Sequence, residues 1–303
     1  MNTSTAIVML GGLAAGSILV STAFAATTRA VCPSGCTYPT IQSAIDAAAA
    51  DDIIQIGKGR YVEILNTEGK KLTLQGSGRT GVILDGNGKG TVITIAGTKL
   101  VTISDVTITR GFGDGGGIAV RELGQLSLRH CVVVSNHSTT DGGGVNWAGF
   151  EPPQPTTLSI NDCSITGNDA ARAGGGLNVN EEAVAVNIRN STFSRNSAQQ
   201  GGAISLGTDF IHATITQTSI VDNTASDTAG GLFFVSFGGS LVADGSVVIA
   251  NNSARNQFGG ALAGASDAKP RTTVSISGWV FNNAPDNCNP EARCPVVSQT
   301  SSP

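Results

Sequence analysis

The sequence predicts an all-β fold, a three-faced parallel β-helix of about eight or nine coils. Three observations lead to this fold class. A block in which a short apolar strand is followed by Asn, a Gly pair and a second apolar strand recurs about every 28 residues. The blocks lack the 3.6-residue apolar period of a helix. Gly accounts for 40 of the 303 residues and charged residues for only 13%, which favours tight turns and small stacked side chains.

Each period contains three short strands. An alternating strand precedes the block, a second runs into the Asn, and a third follows the Gly pair. Stacking pairs each strand in parallel with its equivalent, about 4.8 Å away along the axis. The inward columns then build a continuous core that no single repeat could bury. They are expected to be Ile165, Phe193, Ile220 and Val248 on one face, and Leu177, Ile204, Leu232 and Leu262 on another.

The repeated Asn and Gly have a structural reason. A corner between strands needs backbone conformations with φ above zero, which Gly adopts freely and Asn better than most residues. Asn side chains at equivalent corners can also hydrogen-bond to one another or to the backbone of the next coil. The asparagines expected at this corner are Asn136, Asn168, Asn196, Asn223, Asn251 and Asn283.

The chain before the repeats predicts a helical cap. In "YPTIQSAIDAAAA", Thr40 is expected to cap a short helix whose apolar side carries Ile41, Ala44, Ile45 and Ala48. We place this helix over the N-terminal end of the stack, because the first coil would otherwise expose unpaired strand edges. The expected organisation is a signal peptide at 1–25, an N-terminal segment with a Cys pair at 26–37, the β-helix at 38–284 and a C-terminal cap or tail at 285–303.

The N-terminus and the cysteines indicate export. A long apolar stretch ends in Ala23-Phe24-Ala25, a site for cleavage after Ala25. No Lys or Arg precedes this stretch, so an uncleaved N-terminal anchor is the alternative; nothing after residue 26 is apolar and long enough to span a membrane. One Cys pair lies on each side of the repeats, and both are expected to form disulfides: Cys32 with Cys36 and Cys288 with Cys294.

The two remaining cysteines, Cys131 and Cys163, occupy equivalent inward positions on adjacent coils. A disulfide and a pair of stacked buried thiols both fit this placement. Neither residue is a candidate nucleophile, because an inward Cys is poorly accessible.

The charge distribution excludes nucleic acid as a partner. The formal net charge is -4, and the 18 Lys and Arg residues are scattered without a basic run. No cofactor or metal is expected either. The turn "DGNG" at 85–88 lacks the acidic partner of a calcium loop, and "CPSGC" at 32–36 lacks the second ligand pair of a zinc site.

The most charged column of the repeat lies where the strand after the Gly pair ends. Neighbouring coils could place two carboxylates there at the roughly 5 to 9.5 Å that glycosidases use. One carboxyl would act as acid and another as base or nucleophile, while Arg121 would hold a uronate. The alternative is that Glu and Asp collect in solvated turns without function. The candidate catalytic residues are Glu122, Glu182, Asp209, Arg121 and His212.

A second polar column holds His130, Asp162 and Asn190, just before the strand that ends in Asn. His130 beside Asp162 could form a general base, and a hydrogen-bonded turn ladder is the alternative. Metal binding by this pair lacks a third ligand. By strand alternation Phe233 and Phe237 are expected to point outward, as a sugar-stacking patch or as a surface under a loop.

Two segments carry a family resemblance. The stretch "YPTIQSAIDAAAADDIIQIGKGRYVEILNTEGKKLTLQGSGRTGVILDG", residues 38 to 86, resembles the first coils of secreted right-handed β-helix proteins of the pectate-lyase-like superfamily, and its "GRYVEI" resembles the opening of pectin esterases. "FSRN" at 193–196 and "GGAI" at 201–204 resemble the FxxN and GGA(I/L) repeats of polymorphic outer-membrane proteins. The resemblance implies a right-handed coil and a protein that is secreted or at the cell surface.

The resemblance does not extend to chemistry. The QDT and LGRPW motifs that carry pectin-esterase catalysis are absent, and "DFIHA" at 209–213 is the nearest match to DFIFG. No catalytic residue is therefore carried over from that family.

Two classes of function remain open. The first, favoured by the superfamily resemblance, is engagement of an extracellular or cell-wall polysaccharide, with lyase, hydrolase or esterase activity along the ridge from Arg121 to His212 left undecided. The second is a non-catalytic surface or adhesion scaffold, which the outer-membrane-type repeats favour. In both cases we expect a monomer whose partner is a polysaccharide or a cell-surface glycan.

Overall fold

The computed structural model describes residues 25–97, 99–122, 124–149, 156–236, 238–265 and 272–288. These residues form a right-handed parallel β-helix, which confirms the predicted fold class. All strand pairs are parallel and join each strand to its equivalent one coil away. Residues 1–24 of the predicted signal peptide and 289–303 of the predicted tail lie outside the described residues.

In each coil the chain passes through sheet A and then sheet B. Sheet A has ten strands, Thr28–Val31, Ile53–Ile56, Leu72–Gly76, Leu100–Ser104, Gln125–Arg129, Thr156–Asn161, Val184–Arg189, His212–Thr216, Ser240–Ala243 and Thr273–Ile276. Sheet B has nine, Gly59–Tyr61, Val82–Asp85, Thr107–Thr109, Val132–Val134, Ser164–Thr166, Thr192–Ser194, Ser219–Val221, Val248–Ala250 and Trp279–Phe281. The first strand of sheet A belongs to the segment with the first Cys pair.

The chain then crosses a narrow sheet D and closes the coil in sheet C. Sheet D has six short strands, Phe112–Gly113, His137–Ser138, Asp169–Ala170, Ser197–Gln200, Thr224–Thr228 and Ser253–Ala254. Sheet C has eight, Leu65–Asn66, Ile93–Ile95, Ile118–Val120, Val145–Ala148, Leu177–Asn180, Ile204–Leu206, Leu232–Ser236 and Ala261–Ala265. Within the described part of the chain, sheet C therefore marks eight complete coils.

The helix predicted at the N-terminal end is present as α1, Ile41–Ala47. The hydroxyl of Thr40 accepts a hydrogen bond from the Ser43 N–H, as expected of an N-cap. The carboxylate of Glu63 accepts two more, from the first two N–H groups of the helix. The helix packs on the first strands of sheets A and C through its buried residues Ile41, Ala44 and Ile45.

The core consists of in-register apolar columns. Ile165, Phe193 and Ile220 are paired through sheet B and are fully buried. Leu177, Ile204 and Leu232 form the equivalent column in sheet C. Burial of each such side chain stabilises the fold by roughly 1.5 to 3 kcal/mol.

A ladder of buried asparagines runs inside the corner between sheets B and D. Asn196 donates from both its N–H and its Nδ2 to Oδ1 of Asn223, each at 3.0 Å, and from Nδ2 to the carbonyl oxygen of Ile165 at 3.0 Å. From Asn136 to Asn252 each side-chain amide is bonded to the coils before and after it, and that of Asn283 to the coil before and to Asn287. These bonds satisfy polar groups that burial would otherwise penalise. The ladder comprises Asn136, Asn168, Asn196, Asn223, Asn252 and Asn283.

One predicted ladder residue is wrong by a single position. Asn252, not Asn251, accepts from Asn223, and Asn251 is exposed with φ 55°. Ala243 pairs with the residue 28 positions earlier, but Ile249 pairs with the one 29 positions earlier, so an extra residue lies in the turn between them. The same shift places Ile249 in the core instead of Val248, and aligns Ala261 instead of Leu262 with Leu232.

Sheet D is a fourth sheet, made of one further strand per coil that the sequence does not predict. Five of its six strands begin at the residue after a ladder asparagine. Ser197, for example, follows Asn196 and donates its N–H to the carbonyl of Asn168, one coil earlier, at 2.9 Å. Because the asparagine side chain is bonded to both neighbouring coils, the residues that follow stay extended and pair between coils. The corner therefore becomes a short sheet.

The Gly pair is explained by close approach between coils. A Cβ atom on Gly176 would lie 2.7 Å from the carbonyl oxygen of Ala203 in the next coil and 3.1 Å from the ladder amide of Asn196. Glycine here lets successive backbones approach to strand-pairing distance.

Two buried carboxylates tie the first coils together. The fully buried side chain of Asp85 forms ion pairs with Arg60 and Arg110, the latter at 2.6 Å, and accepts the Asn87 N–H at 2.8 Å. Burial alone would raise the pKa of Asp85, but these hydrogen bonds outweigh it and lower the pKa below its ordinary value of 3.8.

Asp52 acts in the same way at the N-terminal end. Its carboxylate accepts from the N–H groups of Thr27 and Ala49 and from Nε of Arg29, at 2.8 to 2.9 Å. Burial raises the pKa of Asp52, and the backbone and arginine hydrogen bonds more than reverse this effect. The carboxylate joins the first strand of sheet A to the turn after α1.

We expect the ladder register to be measurable by a matched pair of isosteric substitutions. Asn252→Asp replaces the Nδ2 donor by an oxygen facing Oδ1 of Asn283, so it should lower the free energy of unfolding by about 3 kcal/mol or more. Asn251→Asp should change it by less than about 0.5 kcal/mol, because the exposed Asp tolerates the same positive φ. Equal effects of the two substitutions in urea unfolding would contradict the ladder.

The protein should lose stability as the pH falls from about 5 to about 3. The pKa values of Asp85 and Asp52 are lower in the folded state, so their contribution is complete above the ordinary value of 3.8 and is lost as the pH falls through the folded-state values. Asp85→Asn should lower the free energy of unfolding by about 3 kcal/mol at neutral pH and flatten its acid dependence. Urea titrations at several pH values measure both effects.

The control for this acid dependence is Asp222→Asn, which removes an exposed carboxylate at a corner. It should leave the pH dependence as in the unchanged protein. The interpretation fails if Asp85→Asn retains the full acid-induced loss of stability.

Candidate functional site

The five residues predicted as catalytic lie at the corner between sheets C and A. Arg121 and Glu122 follow the sheet C strand that ends at Val120, and Glu182 follows the one that ends at Asn180, two coils later. Asp209 lies at the same corner one further coil away. His212 begins the next sheet A strand. The solenoid therefore brings all five to one side but distributes them over several coils.

Contacts occupy the polar groups of Arg121, Glu122 and His212. Nη2 of Arg121 lies 2.5 Å from Oδ2 of Asp114, Oε2 of Glu122 accepts the Gly97 N–H at 2.8 Å, and Nδ1 of His212 lies 2.9 Å from the Ser240 hydroxyl. The Glu182 side chain is exposed, and Asp209 is half-buried. The catalytic roles of the five residues stay predictions.

Asp114 neutralises Arg121. Burial of the Asp114 carboxyl raises its pKa, but the hydrogen bonds from Thr140, at 2.5 Å, and from Arg121 outweigh burial and lower it. Asn146 adds a weaker bond at 3.3 Å. A guanidinium held in this way is less available to a uronate than the sequence alone suggests.

Glu181, which precedes the predicted Glu182 and was not itself predicted, lies deeper in this corner. It is 3% exposed, and the register of sheet C places it in one column with Gly149 and Glu122. Its carboxylate occupies the space that a side chain at Gly149 would need. Counting five residues from the last Gly of each triplet, Gly117, Gly144 and Gly176, aligns Glu122, Gly149 and Glu181 in the sequence itself.

The corner between sheets A and B, which we call the A–B corner, presents a regular polar column. One residue of each coil adopts the left-handed conformation there, with φ between 48° and 59°. This conformation is costly for most side chains and tolerable for Asp, Asn and His. The column consists of Asp105, His130, Asp162, Asn190 and Gln217.

His130 lies between two carboxylates in this column. Its Nδ1 is 2.6 Å from Oδ1 of Asp105 on the coil before, and its Nε2 is 3.7 Å from Oδ2 of Asp162 on the coil after. Asn190 extends the ladder with a long contact of 3.5 Å to Asp162. The His130 side chain is 46% exposed, so the ladder is open to a ligand. The geometry of this column therefore fits both alternatives, a histidine general base and a turn ladder.

Arg79 reaches across the A–B corner from the turn between Leu72–Gly76 and Val82–Asp85. Its carbonyl oxygen accepts the Thr107 hydroxyl at 2.6 Å, and its Nη1 donates to the main-chain oxygen of Asp162 at 3.2 Å. The positively charged Arg79 side chain therefore extends over the coils that carry the His130 ladder.

An open depression of about 380 Å³ continues the same corner toward the C-terminal coils. Nε of Arg189 donates to the Gln217 side chain at 3.0 Å, and the Gln217 N–H donates to the Ser246 hydroxyl at 2.6 Å. Its lining residues are Arg189, Thr216, Gln217, Asp244 and Ser246. The volume is that of a small-ligand site. Every lining residue has a polar side chain, and Asp244 contributes a carboxylate.

Two arginines flank the column on the outer face of sheet A. Arg129 and Arg189 lie in one register column, with Asn161 on the coil between them. Both are exposed, and neither forms an ion pair with a carboxylate of the described ranges. The column can be read from the sequence. In the aligned segments "RHC" (129–131), "NDC" (161–163) and "RNS" (189–191), a basic or amide residue directly precedes the residue of the His130 column.

A third histidine site lies on sheet D. Nδ1 of His137 is 2.8 Å from Oδ2 of Asp169, and the ring stacks on Phe112 with centroids 5.3 Å apart. The Ser197 hydroxyl in turn bonds the other oxygen of Asp169. The sequence does not predict this site, because His137 and Asp169 lie in the strands of sheet D, which the repeat pattern does not predict.

The cysteines divide into bonded and free. Cys32 and Cys36 form a disulfide, and Cys288 is also disulfide-bonded, whereas Cys294, its predicted partner, lies outside the residues described. Cys131 and Cys163 are free, buried thiols, which decides between the two alternatives for this pair. The hydrogen bond shared with Cys131, together with burial, raises the pKa of Cys163 and keeps it protonated and unreactive.

The remaining features lie outside the two corners. Phe233 is half-buried and Phe234 fully buried, as alternation predicts, while Phe237 is beyond the described ranges.

Across the parts of the chain that the structure describes, His, Cys, Asp and Glu form no cluster of three able to hold a metal ion. In the same parts, every helix is too short or too polar to cross a membrane.

Comparison with known proteins gives a likeness in structure alone. No protein-family model matches the sequence, and no curated protein matches it. Among solved structures, a pectin methylesterase from carrot is similar over 86% of this chain and 88% of its own, at 15% identity and a TM-score of 0.42. A likeness this weak assigns no activity.

Proposed function

We propose that this protein engages an acidic polysaccharide outside the cell, with the glycan chain lying along the A–B corner, parallel to the solenoid axis. The observation that carries the proposal is the combination of exposed arginines without acidic partners and a polar depression at the same corner. Export and the polysaccharide class agree with the N-terminal apolar stretch and with the superfamily resemblance of the sequence.

The arginines favour an acidic glycan. Where an arginine serves the fold of this protein it is paired, as Arg110 is with Asp85 and Arg172 with Asp141. Arg129 and Arg189 instead present guanidinium groups to solvent on one face. Planar guanidinium groups bind carboxylates through two parallel hydrogen bonds, so they suit uronate or other carboxylated sugar units.

The solenoid favours a polymer over a single sugar. Equivalent side chains recur about every 4.8 Å along the axis. The polar column from Asp105 to Gln217 crosses five coils, and the depression extends it to Ser246 on the next. A linear chain can contact several of these coils at once, so that weak contacts add up to useful affinity.

Cleavage of the glycan is the second candidate, at the corner between sheets C and A. The observation that favours it is the alignment of Glu122 and the buried Glu181 in one column two coils apart, with Glu182 and Asp209 nearby. Two coils correspond to roughly 9.6 Å between backbones, near the upper limit for a pair of carboxylates in an inverting glycosidase. A non-catalytic surface scaffold remains the alternative if neither binding nor cleavage is found.

We expect the double substitution Arg129→Ala, Arg189→Ala to weaken binding of an acidic glycan at least tenfold. Each charge-assisted hydrogen bond contributes about 1.5 to 3 kcal/mol, and a tenfold loss corresponds to about 1.4 kcal/mol. Calorimetric titration with polygalacturonate and alginate, and with neutral dextran for comparison, measures the dissociation constant at two salt concentrations.

The matched control is Arg172→Ala, because this arginine is paired with Asp141 at another corner. It should bind acidic glycans as the unchanged protein does. The proposal fails if no acidic glycan binds, or if the Arg129, Arg189 double variant binds as tightly as the control.

The second candidate predicts release of new reducing ends or unsaturated products from the same glycans. Under it, Glu122→Ala and Glu181→Ala should each lower the rate by about 100-fold, the loss typical of removing an acid or base. Glu182→Ala and Asp209→Ala test whether a neighbouring carboxylate takes one of the two roles instead, and chromatography of the products measures all four rates. Cleavage that all four variants retain would exclude these carboxylates, and binding without any cleavage would leave a binding protein.

A further inference from the structure

We infer that Asp105, His130 and Asp162 form a hydrolytic site for acyl esters carried on sugar hydroxyls. The choice of a glycan as the carrier rests on the proposed function; the ester hydrolysis rests on the geometry of the three side chains. The site lies on the A–B corner, adjoining the depression lined by Arg189 and Gln217.

The hydrogen bond to Asp105 determines which nitrogen of His130 is the base. An ionised carboxylate only accepts hydrogen bonds, so Nδ1, at 2.6 Å from Oδ1 of Asp105, carries the proton. Nε2 then presents its lone pair on the opposite side, toward Asp162 and solvent. Orientation of an imidazole by a carboxylate on its far nitrogen is the arrangement of a histidine general base.

The reaction needs only water and the ester. Nε2 of His130 takes a proton from water as the water oxygen forms a bond to the ester carbonyl carbon. The bond from that carbon to the sugar oxygen then breaks, and the sugar oxygen takes the proton from Nε2. The products are a free carboxylic acid and a free sugar hydroxyl, with His130 returned to its neutral form.

The contacts of His130 argue against other hydrolytic reactions. Within the described contacts its ring nitrogens face two carboxylates and no hydroxyl or thiol, so water is the nucleophile and no covalent serine intermediate is implied.

Arg79 supplies a positive charge at this site. Its Nη1 holds the main-chain oxygen of Asp162, and the guanidinium retains further N–H donors. A cation here stabilises the negative oxygen that develops when water adds to the carbonyl. Its loop is anchored by the Thr107 hydroxyl, so the charge is held over the corner without an ion pair of its own.

The test uses p-nitrophenyl acetate and acetylated polygalacturonate as substrates for the full chain. The unchanged protein should release acetate from both with saturable kinetics. His130→Gln should lower kcat/KM by about 100-fold or more, the usual loss on removing a general base. Asp105→Asn, a positioning variant, should lower kcat and alter the acid limb of the pH–rate profile with little change in KM.

The matched control is His137→Gln, which removes a similarly exposed histidine bonded to Asp169 at 2.8 Å on a different sheet. It should retain the rate of the unchanged protein, which separates a site from the background reactivity of surface imidazoles. Circular dichroism and thermal unfolding confirm that each variant folds.

Three outcomes overturn the inference: hydrolysis no faster than with an equal concentration of free imidazole, an undiminished rate in His130→Gln, or an equal loss in His137→Gln. Any of these would leave the Asp105 to Asn190 column as a structural ladder. Glycan binding without ester hydrolysis would overturn this inference alone. Hydrolysis of p-nitrophenyl acetate without any glycan binding would overturn the proposed function and leave the hydrolytic site standing.

Discussion

The spacing between coils is the constraint on which the rest of this structure depends. Parallel pairing holds each strand about 4.8 Å from its equivalent, and the buried asparagine ladder repeats the same spacing inside one corner. From Asn136 to Asn252 each ladder amide bonds the coil before and the coil after, so none of these coils can shift without leaving a buried amide unsatisfied. Sheet D and the Gly pair follow from this, because both exist only where successive backbones approach closely.

The same spacing decides what a corner can do. A residue at a corner has its equivalents directly above and below it, so a functional group built there is a column drawn from successive coils. Asp105, His130 and Asp162 are 25 and 32 residues apart in sequence, but His130 is hydrogen-bonded to Asp105 and lies 3.7 Å from Asp162. The left-handed backbone that each coil needs at this corner also selects Asp, Asn and His, which are chemically useful residues. Structural and functional requirements therefore favour the same side chains.

Charge is divided between corners according to burial. Carboxylates inside the first coils, Asp52 and Asp85, are matched by arginines and backbone donors, and their pKa values are lowered as a result. At the corner between sheets C and A, Arg121 is matched by Asp114. On the outer face of sheet A, Arg129 and Arg189 face solvent in one register column, and neither forms an ion pair within the described ranges. This column of arginines makes the A–B corner the better candidate for binding an acidic chain.

The sequence by itself determined the fold class, the capping helix and most of the core, because a repeated pattern of strand, Asn and Gly can bury its apolar faces only by stacking on itself. It placed Phe193 and Ile204 inside and found five of the six ladder asparagines. It missed Asn252 because one added residue in a turn shifts the register, and a register shift exchanges inward and outward side chains. Only the tertiary structure decided which outward groups meet. His130 faces Asp105 as well as Asp162, Glu181 is buried where Glu182 is not, and Arg121 is already paired, since such contacts depend on side-chain reach between coils and not on spacing along the chain.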